Sequence, residues 1–376
     1  MKKMTLDKVM CCLFALVLLL TGCGNKNDNV VIEFTNPDTV TATISTEYLV
    51  EETLIEEESV ELTENILPDE EILTQMTCDV DVRKFYYEQL NDIEKEIYDS
   101  LMNSKEQFIE NEEILCYSYS AEKGYDRIYE EYATRAFFAY LYDNPMATMW
   151  VNSLTFKTGV TSVYVDGEYS HLASVDLYII PQDDIGRYGD FATPDETRKA
   201  IVEVEKEVES FVETLTGTEE EKYIKIHDWI IDGAGYDETG TVSNLRSVYG
   251  AIVQKNCVCA GYAYAYKYVA DMADLNVLYV HGLGDGGAHA WNHVFVNGEW
   301  KLVDVTWDVN PIMVSYETGV TTEEYINEEG MLVVEYTYEY DYREEVNHTY
   351  LFLDIVEQAK NGEHIHDTEL GFFYKS

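Results

Sequence analysis

Basic side chains are scarce in this sequence. Its 376 residues include 25 lysines and arginines against 72 aspartates and glutamates, which gives a formal net charge of −47. A surface with this charge repels phosphates, so nucleic acid is excluded as a partner. No EF-hand-type calcium loop is present either, so the acidic residues indicate a solvated surface that favours cationic partners.

Cysteine is too sparse for a disulfide scaffold. The chain has 7 cysteines, of which Cys11 and Cys12 lie in an N-terminal apolar segment and Cys23 follows that segment. Four thiols remain in the rest of the chain: Cys78, Cys116, Cys257 and Cys259. Cys78 and Cys116 could form one disulfide, and the sequence does not decide whether they do.

A long apolar run is missing as well. The apolar segment Val9 to Leu20 has twelve residues, whereas a transmembrane helix needs about 20. Basic residues precede this segment, and it ends in Leu20-Thr21-Gly22-Cys23, which resembles a bacterial lipobox. We therefore predict a signal peptide at residues 1–22, a lipid on Cys23, and a membrane anchor that holds the protein on the extracellular face of the cell membrane. The alternative is an ordinary secretory signal in which Cys23 is incidental.

Two regions are predicted between the signal and the C-terminal half. Residues 23–79 are acidic, with Lys26 as the only basic residue between positions 24 and 77, which predicts a disordered tether. Alternation over 39–49 leaves a small β element open. Residues 80–192 are predicted to form an α/β region of unknown role. Their hydrophobic pattern predicts helices at Phe85–Met102 and Ile128–Tyr142 and strands near Trp150–Phe156 and Val175–Ile180.

Residues 193–376 are predicted to form a catalytic domain with a C-terminal extension. Two of its helices have clear starts, because Thr193 is followed three residues later by Glu196, and Thr218 by Glu221. Each pair is typical of a capping box. In the extension, the sequence predicts a strand at Val333–Tyr342 and a helix at Tyr350–Ala359, and we expect the tail to complete the sheet of the domain.

Cys259 begins an alanine- and tyrosine-rich segment that contains no proline and runs to Leu275. This composition predicts a helix with Cys259 in its first turn. The free backbone N–H groups and the helix dipole at that position favour a thiolate, and the same N–H groups can receive the oxyanion of a tetrahedral intermediate. Gly261 either allows another segment to approach this helix closely or weakens the helix.

A β-hairpin is predicted downstream of the cysteine. The strand-like segments His289–Val296 and Glu299–Thr306 are separated by Asn297-Gly298. This dipeptide is typical of a two-residue turn, because both of its residues adopt positive φ there. Such a turn pairs Val296 with Glu299 and sets the register of the whole hairpin.

That register brings a histidine and an aspartate to one face of the hairpin. It places His289 opposite Thr306 and Asp304 opposite Trp291, so His289 and Asp304 are diagonal neighbours about 7–8 Å apart at the backbone. Their side chains are expected to meet. With Cys259 they supply a candidate nucleophile, base and orienting acid for acyl transfer.

These segments together resemble the transglutaminase-like superfamily, whose catalytic core is papain-like. The match rests on VCAGYA at the cysteine and HAWNHVFVNGEWKLVDVTWD some thirty residues later, in the order Cys, His, Asp. Upstream, HDWI at 227–230 and Tyr236-Asp237 look like the helix and turn that precede the cysteine in this family. The resemblance covers residues 216–311. Cys257 departs from it, because a small residue is expected at that position.

The resemblance implies an α+β fold in which an antiparallel sheet packs on the helix that bears the cysteine. It implies Cys259 as nucleophile, His289 as base and Asp304 as the acid that orients it, with no metal and no cofactor. The expected substrate is an amide bond of a protein or cell-wall peptide, attacked to give a thioester that water or an amine resolves. A weaker resemblance links residues 85–145 to the region that often precedes such domains in bacteria.

Other interpretations of the same residues are weaker. Cys257, Cys259, His289 and His293 offer two sulfurs and two nitrogens for zinc, but structural zinc prefers two to four residues between its cysteines. The two histidines would also lie more than about 10 Å apart on a strand. The glycine-rich stretch 282–287 looks like a phosphate loop, yet strand-like residues follow it, so a flexible loop beside the site is expected. A catalytically inactive binding or structural module on the cell surface is the alternative function.

Overall fold

The chain divides into two compact units. The first comprises Met1–Glu61, Leu90–Tyr140 and Asn152–Gly186, and the second comprises Leu62–Gln89, Leu141–Val151 and Arg187–Ser376. The computed structural model describes residues 29–36, 39–45, 82–120, 128–151, 156–165, 168–179, 189–240, 242–326, 332–367, 370 and 372. The predicted signal peptide, Cys23 and Cys78 lie outside these residues, and the predicted domain boundaries stay predictions.

The first unit contains a five-stranded antiparallel sheet in the order β1-β2-β4-β5-β3. Its strands are β1 (Asn29–Asn36), β2 (Thr39–Ser45), β3 (Ile114–Ser120), β4 (Phe156–Val165) and β5 (Glu168–Ile179). Strand β2 falls in the part of the acidic segment where alternation left a β element open. The end of β5 confirms the strand predicted near Val175–Ile180.

Three helices accompany this sheet: α1 (Asp92–Met102), α2 (Lys105–Ile109) and α3 (Ile128–Asp143), the last of which confirms the helix predicted there. The helix predicted from Phe85 is wrong in its first two turns or so, because α1 begins only at Asp92. Asn91 caps it: its side chain accepts the N–H groups of Ile93 and Glu94, both at 3.0 Å. In turn, the Glu94 carboxylate accepts the backbone N–H of Asn91 at 2.7 Å, which completes a capping box.

The residues before α1 form two 3₁₀ turns, Val82–Lys84 and Tyr87–Gln89. The carboxylate of Asp143 accepts the backbone N–H of Tyr86 at 3.1 Å and that of Tyr87 at 2.9 Å. The Asp143 carboxylate thus holds this segment as tight turns ahead of the Asn91 cap.

The second unit contains a five-stranded antiparallel sheet in the order β13-β10-β9-β8-β14. Its strands are β8 (Val277–Gly284), β9 (Gly287–Val296), β10 (Glu299–Val303), β13 (Leu351–Leu353) and β14 (His364–His366). The two C-terminal strands lie at opposite edges, so the tail completes the sheet as expected. Strands β11 (Ile312–Ile326) and β12 (Leu332–Glu345) form a separate hairpin.

The described residues of this unit include four α-helices: α4 (Pro194–Val212), α5 (Glu219–Gly233), α6 (Cys259–Met272) and α7 (Ile355–Asn361). The predicted starts of α4 and α5 are confirmed. Thr193 accepts the Glu196 N–H, and Thr218 and Glu221 form a reciprocal capping box. Short strands β6 (Gly235–Tyr236) and β7 (Asn256–Cys257) pair in parallel between α5 and α6.

Helix α6 forms the centre of this unit. Tyr262, Tyr264 and Tyr266 are fully buried on it, and the Tyr264 ring stacks on that of Tyr279 in β8 with 3.9 Å between centroids. Burial of an aromatic side chain is among the largest single contributions to a core. The side-chain amide of Asn292 in β9 donates to the carbonyls of Ala263 and Leu278, at 3.0 and 3.1 Å. The fold class is therefore α+β, with an antiparallel sheet packed on the helix that carries Cys259.

Two further predictions differ from the structure. Pro145–Met149 is a 3₁₀ helix and Trp150 follows it, so no strand begins at Trp150; residues 152–155 lie outside the described residues, and β4 begins at Phe156. The segment predicted as a helix from Tyr350 first forms strand β13. Helix α7 begins only at Ile355, because the Asp354 carboxylate caps it by accepting the Glu357 N–H at 2.9 Å.

Candidate active site

Cys259 is the first residue of α6. The preceding residue, Val258, has an extended backbone, and no side chain caps the helix at this end. The Val258 N–H donates to the Leu245 carbonyl at 3.1 Å, which fixes how the chain joins the helix. Cys259 is a half-buried free thiol whose sulfur lies at the positive end of the helix dipole, where a thiolate is favoured.

Cys257 occupies a different environment. It lies in β7 and is fully buried, and this burial raises the pKa of its thiol far above the ordinary value. Gly261 explains how it fits: a Cβ at this position would lie 2.7 Å from the Cys257 Cβ and 2.5 Å from the Leu245 carbonyl oxygen. Gly261 therefore serves close packing against α6, and Cys257 is a packing residue.

The turn Tyr236-Asp237 lies next to this pair of thiols. Strand pairing places Tyr236 beside Cys257, and the Asp237 N–H donates to the Cys257 carbonyl at 2.9 Å. The Asp237 carboxylate closes the turn by accepting the N–H of Thr239 at 2.7 Å. Tyr236 is partly exposed. Its partial burial is the main cause that raises the pKa of its hydroxyl, and the nearby charge of Cys259 is the next. This turn therefore borders the nucleophile on one side.

The hairpin that carries the histidine has the predicted register. Val296 pairs with Glu299, and the same register continues to Asn292 with Val303. Asn297 has φ of 54° and Gly298 of 86°, as the two-residue turn requires. Strand β10 ends at Val303, so the predicted pairing of His289 with Thr306 does not form. Beyond that point the Asp304 N–H donates instead to the Tyr350 carbonyl, at 2.9 Å.

His289 and Asp304 meet as the register predicts. The Nε2 atom of His289 lies 2.7 Å from Oδ2 of Asp304, which is fully buried. The other carboxylate oxygen, Oδ1, accepts the backbone N–H groups of Thr306 at 2.9 Å and Trp307 at 3.2 Å. These two bonds curl the chain into a turn, which explains why the strand stops and why the carboxylate keeps one orientation.

The other ring nitrogen of His289 is left for the thiol. Burial alone would lower the pKa of His289, but hydrogen bonds to Asp304 and Cys259, together with their charges, raise it to about 10. The Trp307 ring stacks on the imidazole at a centroid distance of 5.1 Å. Because Nε2 bonds to Asp304, Nδ1 is the ring nitrogen available to the sulfur, and a carboxylate and a thiolate both favour the imidazolium form.

The glycine-rich stretch before His289 makes room for this ring. Gly284 closes β8, and a Cβ there would lie 2.6 Å from Cδ2 of His289. Asp285 and Gly286, with φ of 48° and 81°, form the turn between β8 and β9. The prediction of a flexible loop here is therefore wrong, because the stretch is a tight turn between two paired strands. A phosphate loop would need a helix after the turn, so that interpretation is ruled out as well.

Asp308 has a structural environment distinct from that of Asp304. Both of its oxygens accept the Tyr350 N–H, at 3.1 and 3.0 Å, and Oδ2 lies 3.3 Å from Nε2 of His227. The latter is an ion-pair distance without hydrogen-bond geometry. Burial lowers the pKa of His227, but the hydrogen bond to Asp228 and the charges of Asp308 and Asp228 outweigh it, so the net shift is upward. Asp308 therefore joins α5 to the segment before β13.

Sequence reasoning missed a second histidine at the site. His364, in β14, places Nε2 3.0 Å from Oδ2 of Asp304, the oxygen that also binds His289. The only signal was the alternation His364-Ile365-His366, which puts two histidines on one face of a short strand. Nothing in the sequence indicated that this strand pairs with β8.

Two groups of described residues have donor atoms close enough to hold a metal ion: His227, Asp228 and His348, and His289, Asp304 and His364. In both groups the same atoms already bond to each other. In the first, Oδ1 of Asp228 lies 3.0 Å from Nδ1 of His227 and 2.7 Å from Nε2 of His348. In the second, Oδ2 of Asp304 lies 2.7 Å from Nε2 of His289 and 3.0 Å from Nε2 of His364. Neither group contains a cysteine, so within the described residues the zinc set Cys257, Cys259, His289 and His293 does not assemble.

Residues 208–305 match the family model described as the transglutaminase-like superfamily. The matched segment covers about a quarter of the chain and contains Cys259, His289 and Asp304. This part of the chain is therefore a transglutaminase-like segment, carried on an α+β fold. No curated protein sequence matches the chain.

Solved structures also resemble the chain at low identity. A TGase matches at 13% identity with a TM-score of 0.27, over 39% of this chain and 44% of its own. A candidate cysteine protease from Cytophaga hutchinsonii matches at 16% identity with a TM-score of 0.24, over 49% of this chain and 69% of its own. This chain thus spans less than half the length of that TGase.

Proposed function

We propose that this protein is a thiol-dependent enzyme that attacks amide bonds of protein or cell-wall peptide through a thioester on Cys259. The observation that carries the proposal is the position of His289. Its Nε2 bonds to Asp304 at 2.7 Å, which leaves Nδ1 for the Cys259 thiol, and Cys259 contributes to the raised pKa of the imidazole. A nucleophile, a base and an oriented acid in this sequence of contacts are what nucleophilic acyl transfer requires.

The proposed reaction has two balanced steps. In the first, the Cys259 thiolate forms a C–S bond to the amide carbonyl, and the C–N bond breaks as the His289 imidazolium protonates the leaving amine. The free N–H groups at the start of α6 stabilise the oxyanion between these events. In the second, water or a primary amine attacks the thioester, gives its proton to His289, and releases an acid or a new amide with the thiol restored.

The choice of acceptor defines the enzyme, and it is the first prediction to test. The full chain is incubated with peptides that contain glutamine, lysine and cell-wall-type amide bonds, with and without a tagged primary amine. We expect a product that depends on Cys259: ammonia or new peptide termini for hydrolysis, or the tagged amine in the peptide for transfer. Mass spectrometry identifies each product and any acyl group on Cys259.

The alternative function makes a different prediction in the same experiment. An inactive binding or structural module on the cell surface gives no product and no acyl-enzyme, even after quenching in acid, although it retains peptide on the folded protein. Absence of every product over this range of peptides, with a folded protein, would contradict the enzymatic proposal.

We further propose that the protein acts at the cell surface, anchored by a lipid on Cys23. The support is the sequence Leu20-Thr21-Gly22-Cys23 after a short apolar segment, together with a net charge of −47 that suits an exported, solvated protein. We expect the mature chain to begin at Cys23 and to fractionate with membranes, and Cys23→Ser to move it to the soluble fraction. N-terminal mass analysis of both fractions checks this. A soluble wild-type protein that keeps Met1 would contradict it.

A further inference from the structure

His364 reaches the candidate site from outside the transglutaminase-like segment. It lies in β14, which pairs with the edge of β8 so that His364 is opposite Gly284. The same glycine makes space for the His289 ring. The two histidines are therefore carried by strands on either side of β8, and a C-terminal strand completes a site whose other residues end at position 304.

The contacts of His364 hold its ring in one orientation. Its side chain is 1% exposed, and Nε2 lies 3.0 Å from Oδ2 of Asp304. On the far side of the ring, Nδ1 lies 3.1 Å from Oε1 of Gln358 in α7. The Trp307 ring covers both imidazoles, with centroid distances of 4.3 Å to His364 and 5.1 Å to His289.

The Asp304 carboxylate is fully occupied as a result. Oδ1 accepts two backbone N–H groups, and Oδ2 is shared between the Nε2 atoms of His289 and His364. A carboxylate oxygen that already accepts one N–H binds a second donor less strongly. His364 therefore competes with His289 for the charge on the oxygen that orients the base.

We propose that His364 is a positioning residue of the Cys259–His289–Asp304 site, which donates Nε2–H to Asp304 and limits how strongly that carboxylate holds the His289 imidazolium. The inference rests on the proposed function, because it assigns His364 a part in tuning the same base. A base whose proton is held too tightly transfers it poorly, since general acid–base catalysis is most effective when the group titrates near the working pH.

The direction of the effect follows from the hydrogen bonds. Without the His364 donor, the whole charge of Oδ2 acts on His289, and the imidazolium loses its proton at a higher pH. The orientation of the carboxylate survives, because Thr306 and Trp307 still donate to Oδ1. Loss of His364 should therefore raise the pKa of His289, whereas a role only in packing would leave this pKa unchanged.

Several other titratable groups surround the two rings. Cys259 and Asp304 face His289. Around His364, burial and then the charges of nearby histidines lower the pKa of His293, and burial followed by the charge of His364 lowers that of His366 to about 4. Burial, followed by the charges of Glu363, Asp304, Asp308 and Asp285, raises the pKa of Tyr350, whose ring lies 6.1 Å from that of His364. Of these groups, Asp304 is the one that bonds to both rings.

The test measures the pKa of His289 by NMR of histidine ring carbons. The full chain carries Cys259→Ala, so that the thiolate does not contribute and no turnover is needed, and His289→Gln assigns the signal. We expect His364→Leu to raise the pKa of His289 by about 0.5 to 1 pH unit. His364→Gln should return it to the parent value, because the glutamine amide can donate from the position of Nε2.

His366→Leu is the matched control, because His366 is a buried histidine in the same strand that bonds to His293 instead of Asp304. It should leave the pKa of His289 unchanged. An unchanged pKa in folded His364→Leu, or an equal shift in His366→Leu, would overturn the proposal. If His364→Leu does not fold, His364→Asn replaces it, because its amide reaches the Nδ1 position and cannot donate to Asp304.

This readout separates the two proposals. A shift of the His289 pKa in a protein that forms no acyl product would support the role of His364 and contradict the enzymatic function. Acyl transfer with no difference between the His364 variants in the pH profile of kcat would support the function and contradict the role of His364.

Discussion

Cys259→Ala should abolish acyl transfer and leave the fold intact. The nucleophile has no substitute in the described site, and removal of a catalytic nucleophile in a comparable triad lowers kcat by up to ~10⁶-fold. Cys259 is half-buried at the start of α6, so loss of its sulfur leaves the core of the unit unchanged. Turnover of the peptide substrate, measured beside the circular dichroism spectrum and the thermal midpoint, gives both results.

Cys257→Ala is the matched control, since it removes a thiol two residues away. Cys257 is fully buried and its thiol pKa is raised by burial, so this variant should keep its activity and lose some stability through the small cavity it creates. Iodoacetamide at neutral pH should label Cys259 first in the wild type, as peptide mapping can show. Faster labelling of Cys257, or equal activity in the two variants, would contradict the assignment of the nucleophile.

The part of the site that the sequence predicted best depends on local chemistry. Asn297-Gly298 requires positive φ at both residues, and a two-residue turn has only one register, so the turn brought His289 and Asp304 onto neighbouring segments close enough to meet. The start of α6 at Cys259 followed similarly from composition. In each case neighbouring residues determine most of the geometry.

The features that the sequence did not predict depend on distant contacts. Strand β10 stops at Val303 because Asp304 bonds to its own turn and its N–H bonds to Tyr350, which is 46 positions further on. The segment after Phe85 forms tight turns whose N–H groups at Tyr86 and Tyr87 bond to the distant Asp143. Neither partner can be identified from hydrophobic periodicity, which reports only the face that a segment buries.

His364 shows the same limit at the site itself. It belongs to a three-residue strand in a segment where no turn signal fixes the pairing, and its role appears only once β14 is known to lie against Gly284. A motif that ends near Asp304 contains the candidate nucleophile, base and acid. It does not contain His364, which bonds to the same carboxylate oxygen as His289 and lies 60 positions beyond Asp304.

Asp304→Asn should lower turnover by about 10⁴-fold, the effect of the equivalent change in serine triads. The asparagine carbonyl would keep the N–H groups of Thr306 and Trp307, so its NH₂ would face the Nε2 atoms of His289 and His364. Both are donors in the wild type. His289 must then move its proton to Nδ1, the nitrogen that faces Cys259, and it can no longer accept the proton of the thiol.

Asp308→Asn provides the contrast, because it changes an equally buried acid one turn further along the chain. Its side chain would still accept the Tyr350 N–H but would lose its charge beside His227, which should cost about 3 kcal/mol of folding free energy. We expect the folded fraction to keep a near-normal kcat, whereas Asp304→Asn loses kcat in a folded protein. Denaturant unfolding and kcat, measured on both variants at one pH, separate the two acids. A normal kcat in Asp304→Asn would show that this carboxylate does not set the tautomer of the base.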